Sequence, residues 1–267
     1  MTVARIDGCF AACKAAERPA LVIYLTIGDP SVEDSVACAL AALAAGADVL
    51  ELGVPFSDPS ADGPVIAAAS QRAIRAGGSL RAALETARRI REQSAAPLVL
   101  FSYLNPLLAF GEDRLPRSLE EAGIDAVLVV DLPPEEGAPL RASLESRDIV
   151  VIPLIAPTTD DEREAMVLRG ARGFAYYVSA TGVTGLGDAP LAAAVARARA
   201  LADRRGLPVV VGFGVDTPDK ARLLARAGVD GVVVGSAVVK AISGAEDRGA
   251  RVRVVSELIA DLRRALV

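Results

Sequence analysis

The chain contains no histidine. That absence closes off triads built on imidazole and most zinc or iron sites, so acid–base work falls to carboxylates, tyrosines or a few lysines. Lysine is scarce too: Lys14, Lys220 and Lys240 are the whole set, all in predicted helices rather than at strand ends. A Schiff-base mechanism therefore lacks a placed nucleophile. Cysteine is limited to Cys9, Cys13 and Cys38. They fall in helical patterns without metal-ligand spacing and read as buried, reduced thiols of a cytoplasmic protein. No metal and no cofactor is expected. No apolar run reaches the roughly 18 residues of a membrane span, and the N-terminal stretch has no signal-peptide core. The net charge is −5, with basic residues scattered along the chain, which argues against a nucleic-acid groove or an anionic membrane surface as partner. The basic stretch Arg248–Arg253 reads as a solvated helix face.

Aromatic residues are few (4%), yet 52% of the chain is apolar, so Val, Leu, Ile and Ala must build the core. That is the composition of buried parallel strands covered by Ala-rich helices. Eight short β-rich runs recur, at Ala20–Leu25, Asp48–Gly53, Pro97–Ser102, Asp125–Val130, Ile149–Leu154, Gly173–Ser179, Pro208–Gly212 and Gly231–Gly235. A helical stretch follows each of them. Runs such as Val209–Val211 and Val232–Val234 are apolar throughout, as in strands covered on both faces. Ala-Gly-x-Asp recurs at 45–48, 122–125 and 227–230, where glycine would end a helix in a left-handed conformation just before the next strand. Eight β/α units in a row predict a single (β/α)8 barrel over residues 1–267. An extra N-terminal helix, Val3–Glu17, would cap its bottom.

In such barrels chemistry sits at the carboxyl ends of the strands. The second run ends in Glu51-Leu-Gly-Val-Pro-Phe-Ser-Asp-Pro-Ser-Ala-Asp62-Gly-Pro64. Glu51 stands inside an apolar strand, where an ionised carboxylate is costly unless paired or used. Asp58 and Asp62 follow in a loop rich in Pro and Gly, where aspartate also serves local turns. The seventh run ends in Gly212-Phe-Gly214 and the eighth in Gly235-Ser236 before a short helix. Glycines that let backbone amides approach an anion, together with a helix N-terminus, suit a phosphate. The stretch Ser179–Asp188, with its glycines and small residues, would be a lid over that phosphate. Carboxylate acid–base chemistry on a phosphorylated substrate is what these residues leave open.

The 51–64 block resembles the signature of the tryptophan synthase alpha subunit family. Tyr24-Leu-Thr-Ile-Gly-Asp-Pro30, Gly182-Val-Thr-Gly185, Gly212-Phe-Gly214 and Gly235-Ser-Ala-Val-Val-Lys240 follow in family order. The resemblance implies a lyase that cleaves indole-3-glycerol phosphate to indole and glyceraldehyde 3-phosphate. It implies Glu51 as the acid–base group and Asp62 as the acceptor of the indole N–H. It further implies Tyr24, Phe101, Leu128, Tyr176 and Phe213 as pocket walls, and Gly185, Gly214, Gly235 and Ser236 on phosphate. Tyr103, Asp131 and Thr184 match positions near the site. The implied partner is a beta subunit in an α2β2 assembly, docking on the catalytic face, where Leu107, Leu108 and Phe110 supply apolar surface. A self-sufficient indole-releasing lyase and a non-catalytic allosteric barrel subunit remain alternatives at this point. Ser60, Phe174 and Ala180 depart from the family pattern.

Overall fold

A computed structural model describes residues 3–178, 188–212 and 214–267. The strands are β1 (Ala20–Thr26), β2 (Val49–Gly53), β3 (Leu98–Ser102), β4 (Ala126–Val129), β5 (Val150–Val151), β6 (Leu154–Ile155), β7 (Ala175–Val178), β8 (Val209–Gly212) and β9 (Gly231–Val234). All pair in parallel, in the order β5-β4-β3-β2-β1-β9-β8-β7-β6. The two ends of that order are consecutive pieces of one segment. β5 pairs with β4, and β6 pairs with β7. The expected strand Ile149–Leu154 is thus broken in two. Pro153 is the cause, since it has no N–H to give a ladder. Ile152 still donates to the Val127 carbonyl at 2.9 Å, while the Pro153 carbonyl accepts from Tyr176 N–H at 2.9 Å. One short segment serves both neighbours, and the (β/α)8 barrel closes through it.

Twelve helices surround the strands among the described residues. The first, α1 (Val3–Ala15), buries Ile6, Phe10 and Cys13 under the barrel, in the same cluster as Val22, Val99, Ala126, Phe174 and Val210. It is the bottom cap expected from the sequence. Next come α2 (Val32–Ala44), α3 (Pro64–Arg75), α4 (Leu80–Arg91), α5 (Leu104–Phe110) and α6 (Leu115–Glu121). The remainder are α7 (Ala138–Glu145), α8 (Asp161–Val167), α9 (Asp188–Arg205), α10 (Pro218–Arg226), α11 (Ser236–Ser243) and α12 (Arg248–Ala265). Their starts follow capping chemistry: Ser31 accepts from Asp34 N–H, and Thr217 from Lys220 N–H with Pro218 in the first turn. Such caps satisfy amides that have no partner inside the helix. The basic start of α12 is less solvated than its sequence suggests. Arg248 and Arg251 each lie 3.3 Å from buried Asp34 of α2.

The strands alternate as a two-faced sheet requires. Leu21, Ile23 and Leu25 face the helices, whereas Ala20 and Val22 join the barrel interior. The Ala-Gly-x-Asp repeats do more than end helices. Gly46, Gly123 and Gly228 take φ of 110°, 73° and 72°, as left-handed helix ends do. Each following aspartate then accepts an amide at the start of a neighbouring strand. Asp48 accepts from Leu21 N–H at 2.8 Å, Asp125 from Leu98 N–H at 2.8 Å and Asp230 from Val209 N–H at 2.9 Å. Asp125, fully buried, also holds Arg5 of α1 at 2.6 Å and Arg91 of α4 at 2.8 Å. It ties the bottom cap, the sheet and the helical layer together.

Replacing Asp125 with alanine strips an acceptor from two guanidinium groups and one strand amide. Removing one side of such a buried charge network costs about 3 kcal/mol. Urea unfolding of Asp125→Ala should show a loss of that order. A loss under about 1 kcal/mol would mean that the cluster holds nothing together.

Candidate active site

The interior positions near the carboxyl ends of the strands are where the sequence changes from aliphatic to functional. In β1 the interior series runs Ala20, Val22, Tyr24, and in β2 it runs Val49, Glu51, Gly53. Tyr24 pairs in register with Glu51, and Glu51 with Val99. Tyr176 of β7 stands at the same end and pairs with Val210 of β8, two residues before Gly212. Two glycines make room for the tyrosines. A Cβ at Gly53 would lie 2.2 Å from the Tyr24 hydroxyl oxygen, and one at Gly212 would lie 2.8 Å from that of Tyr176. Tyr24 also packs edge-on against Phe101 of β3, at 5.2 Å between ring centres and 78° between planes. Val65, Ile66 and Ala69 of α3 and Val239 of α11 complete that apolar patch. Leu128 is fully buried within the barrel interior, among the same side chains as Tyr176 and Phe101.

Glu51 is completely buried, and among the described residues neither of its carboxyl oxygens has a hydrogen-bond partner. A carboxylate in that setting forfeits its hydration with nothing in return. Burial alone therefore pushes its pKa up to about 8, and it holds its proton at neutral pH. Asp62 sits in the loop before α3, half-buried. Burial raises its pKa to about 6, while a hydrogen bond with Tyr103 pulls the other way. The phenol oxygen of Tyr103 also accepts from Ala61 N–H at 2.8 Å, fastening that loop at the residue before Asp62. Burial first, then the charge of Asp62, raises the Tyr103 phenol to about 12. Tyr24 and Tyr176 are likewise shifted upward, first by burial, then by Asp62 or Glu51. The two carboxyls and three phenols thus share one low-dielectric pocket.

The remaining expectations fall in several places. Gly214 has φ of 62° and follows β8, while Gly235 and Ser236 open α11. Gly235 offers no side-chain cap, so the first-turn amides of α11 are without an intrahelical partner. Thr184, Gly185, Phe213 and nearly all of the 179–188 stretch lie outside the described residues. Asp58 is exposed and takes a hydrogen bond from Ser57 at 2.5 Å, a local turn. Asp131 accepts from Leu104 N–H at 2.7 Å at the start of α5. Phe56 was not singled out from the sequence, although it lies within the 51–64 block. Its ring packs on Tyr103 at 5.1 Å. The room that Gly53 and Gly212 leave was not legible for a different reason, since it depends on the tyrosine of an adjacent strand. An open cavity of about 530 Å³ lies at the opposite end, under α1, lined by Phe10, Lys14, Arg18 and Asp230. It contains none of these groups.

The family model for the tryptophan synthase alpha chain matches residues 10–266. The chain belongs to the tryptophan synthase alpha chain family. It is 46% identical over 265 residues to the alpha chain of Alkalilimnicola ehrlichii, covering 98% of this chain and 96% of that one. It is 48% identical over 238 residues to that of Geobacter sp. (strain M21), covering 89% of each. The crystal structure of tryptophan synthase subunit alpha from Legionella pneumophila str. Paris superposes with a TM-score of 0.90 at 36% identity, over 98% of both chains. A solved tryptophan synthase from M. tuberculosis gives 0.86 at 34% identity, again over 98% of both. The chain is therefore a carbon–carbon lyase of tryptophan biosynthesis, of the family that cleaves indole-3-glycerol phosphate.

The buried proton of Glu51 has a thermodynamic consequence. The folded pKa of about 8 lies above the unfolded value of 4.5. Between those limits the unfolded chain has released a proton that the folded protein keeps. Stability from this group is full below about pH 4.5, declines as pH rises and levels off above about pH 8. Glu51→Gln removes that slope. The variant should gain on the native protein across this window, by an amount on the order of 5 kcal/mol. The constant cost of burying an amide drops out of the comparison. Parallel stability–pH curves for the two proteins, from urea titrations, would contradict the shifted pKa.

Proposed function

We propose that Glu51 and Asp62 divide the acid–base work of indole-3-glycerol phosphate cleavage, and that the whole chain acts as one barrel domain in the cytoplasm. The observation that carries this reading is the buried carboxyl of Glu51, without a partner among the described residues and holding a proton. The carbon–carbon bond can break only when indole becomes a leaving group, which requires a proton on ring carbon C3. Protonated Glu51 donates that proton. As carboxylate it then removes the proton of the side-chain hydroxyl beside the breaking bond. The electrons of that O–H bond become the aldehyde carbonyl, and those of the broken C–C bond return to the indole ring. Glu51 ends as it began, protonated, and no cofactor is called upon.

Asp62 takes the complementary part. With a pKa near 6 it is ionised where Glu51 is still protonated. A carboxylate accepting the indole N–H balances the positive charge that develops as C3 is protonated. Tyr103 is a positioning residue here, joining Ala61 N–H and Asp62. Tyr24, Phe101, Leu128 and Tyr176 supply apolar walls that suit an indole ring, with Phe213 assigned to them by family position. The amides at Gly214, Gly235 and Ser236 face the requirement for phosphate, where a helix N-terminus contributes its positive end. Gly185 and Thr184 belong to this set by family position. Three free thiols fit a reducing compartment.

The partner in this reading is a beta subunit, in an α2β2 assembly that receives indole directly. The apolar surface assigned to it needs revision. Leu107 is buried, and Phe110 is half-buried with Arg114 over its ring at 4.5 Å. Leu108 remains, 44% exposed on α5, close in sequence to Tyr103.

General acid–base groups contribute about 10²–10⁴-fold. Glu51→Gln and Asp62→Asn should each lose at least 100-fold in kcat while remaining folded. Retention of a tenth of the activity would remove that residue from the mechanism. The profile of kcat/KM against pH should be a bell whose arms lie near pH 6 and 8, one for each carboxyl. For the partner, Leu108→Asp should weaken the complex with a tryptophan synthase beta subunit in sedimentation experiments and leave solo indole release unchanged. Equal affinity for the variant and the native chain would move the interface elsewhere.

A further inference from the structure

The bottom of the barrel carries a second cluster of chemically able groups, unconnected with the lyase site. Cys9 and Cys13 lie one helical turn apart on α1, so their side chains share a face. Their sulfurs and a carboxylate oxygen of Asp48 all fall within 4.8 Å of one another. Cys9-x3-Cys13 falls within the spacing that metal-binding cysteine pairs use, and it was passed over because no further cysteine or histidine stands near it in the chain; Asp48 comes close only in the fold. Beside the sulfurs two guanidinium groups face the one carboxylate of Asp48, which leaves an excess of one positive charge. Arg18 Nη1 donates to Cys13 Sγ at 3.2 Å, and Arg263 reaches Asp48 at 3.3 Å. Cys9 is half-buried and Cys13 fully buried, so an ion would enter past Cys9.

We propose that Cys9 and Cys13 form a two-sulfur site for a soft monovalent cation, of which Cu(I) is the biological example.

Three arguments select this ion class. The first is geometric. With metal–sulfur bonds of about 2.3 Å, two opposed sulfurs stand about 4.6 Å apart and two tetrahedral ones somewhat closer, so the observed spacing can bracket one ion. The second concerns Asp48, the apparent third ligand. Its carboxylate already takes both arms of Arg18 at 2.8 and 2.9 Å, Leu21 N–H at 2.8 Å and Arg263 at 3.3 Å. Three of these donors crowd Oδ2 and only one arm of Arg18 takes Oδ1, so a metal on Asp48 would have to bind beside two guanidinium groups that already engage its charge. This leaves two thiolates, the ligand type that favours Cu(I) over harder ions. The third is charge. Two thiols and one M⁺ give a bis-thiolate complex of charge −1 and release two protons. Arg18 and Arg263 stabilise such an anion, whereas a divalent ion held by two thiolates would be neutral and gain nothing from them. Burial under α1 keeps the pair from water.

The test is a competition titration of the whole protein, reduced and anaerobic, with Cu(I) presented as its bicinchoninate complex and Ag⁺ as a redox-inert second probe. Wild type and Cys38→Ala should each withdraw one equivalent of Cu(I). Cys38 lies on α2 and serves as the control. Cys9→Ala, on the accessible side of a helix and favourable to it, should lose at least 100-fold in affinity, as should Cys13→Ser. Circular dichroism checks their folding, and X-ray absorption at the copper edge should report two sulfur ligands. Lyase activity of Cys9→Ala should match that of the wild type. Unchanged copper uptake by Cys9→Ala, failure of the wild type to compete with bicinchoninate, or Zn²⁺ bound as tightly as Cu(I) would each overturn the assignment.

Discussion

One buried carboxyl group sets the terms for the rest of this barrel. Glu51 occupies an interior position of β2 with no hydrogen-bond partner among the described residues, and a charge there would cost several kcal/mol. The protein keeps it neutral instead, and a neutral carboxylic acid at pH 7 is what protonation of an indole ring requires. The surrounding features follow from maintaining that state. Tyr24 and Tyr176 bring apolar bulk close to the carboxyl, and Gly53 and Gly212 yield the space that the two phenols occupy. A polar neighbour at either position would lower the pKa and remove the acid.

The other end of the barrel shows the opposite treatment of the same functional group. Asp48, Asp125 and Asp230 are each bound to a strand amide, and the first two also to arginines. Their charge is offset by donors fixed in place, and they hold the first residues of β1, β3 and β8 in line. Carboxyls at the bottom are satisfied and structural, and the one inside the top has no partner among the described residues and keeps its proton. The partition agrees with what (β/α)8 architecture imposes, where one face carries stability and the other the chemistry. Asp62 lies between these limits. It is half-buried, held by Tyr103 and shifted less, so Glu51 and Asp62 occupy different protonation states over a common pH range.

Much of this was legible from composition and pattern. The strands were found because apolar runs covered on both faces stand out from Ala- and Arg-rich helices, and Glu51 because it interrupts such a run. The broken fifth strand was less visible. Pro153 could have signalled it, but a run of Ile and Val outweighed a single residue. The Ala-Gly-x-Asp repeats disclosed their glycines and concealed their aspartates, whose partners are 21 to 27 residues away in sequence. Packing between strands was not legible at all, since nothing near Gly53 in the sequence announces the phenol of Tyr24. The α5 segment misled for a related reason. Leu107 and Leu108 are adjacent and alike, and only the helix's placement sends one inward and leaves the other exposed.

Glu51 is a neutral acid at physiological pH because it is buried with no partner among the described residues. Its side-chain carbon can be observed directly by ¹³C NMR in protein labelled at glutamate, with Glu51→Gln identifying the resonance. A single titration with a midpoint near pH 8 is expected for it, well above the ordinary carboxyl value of 4.5. A midpoint below about pH 6 would show that the carboxyl is ionised at rest, and would contradict the mechanism built on it.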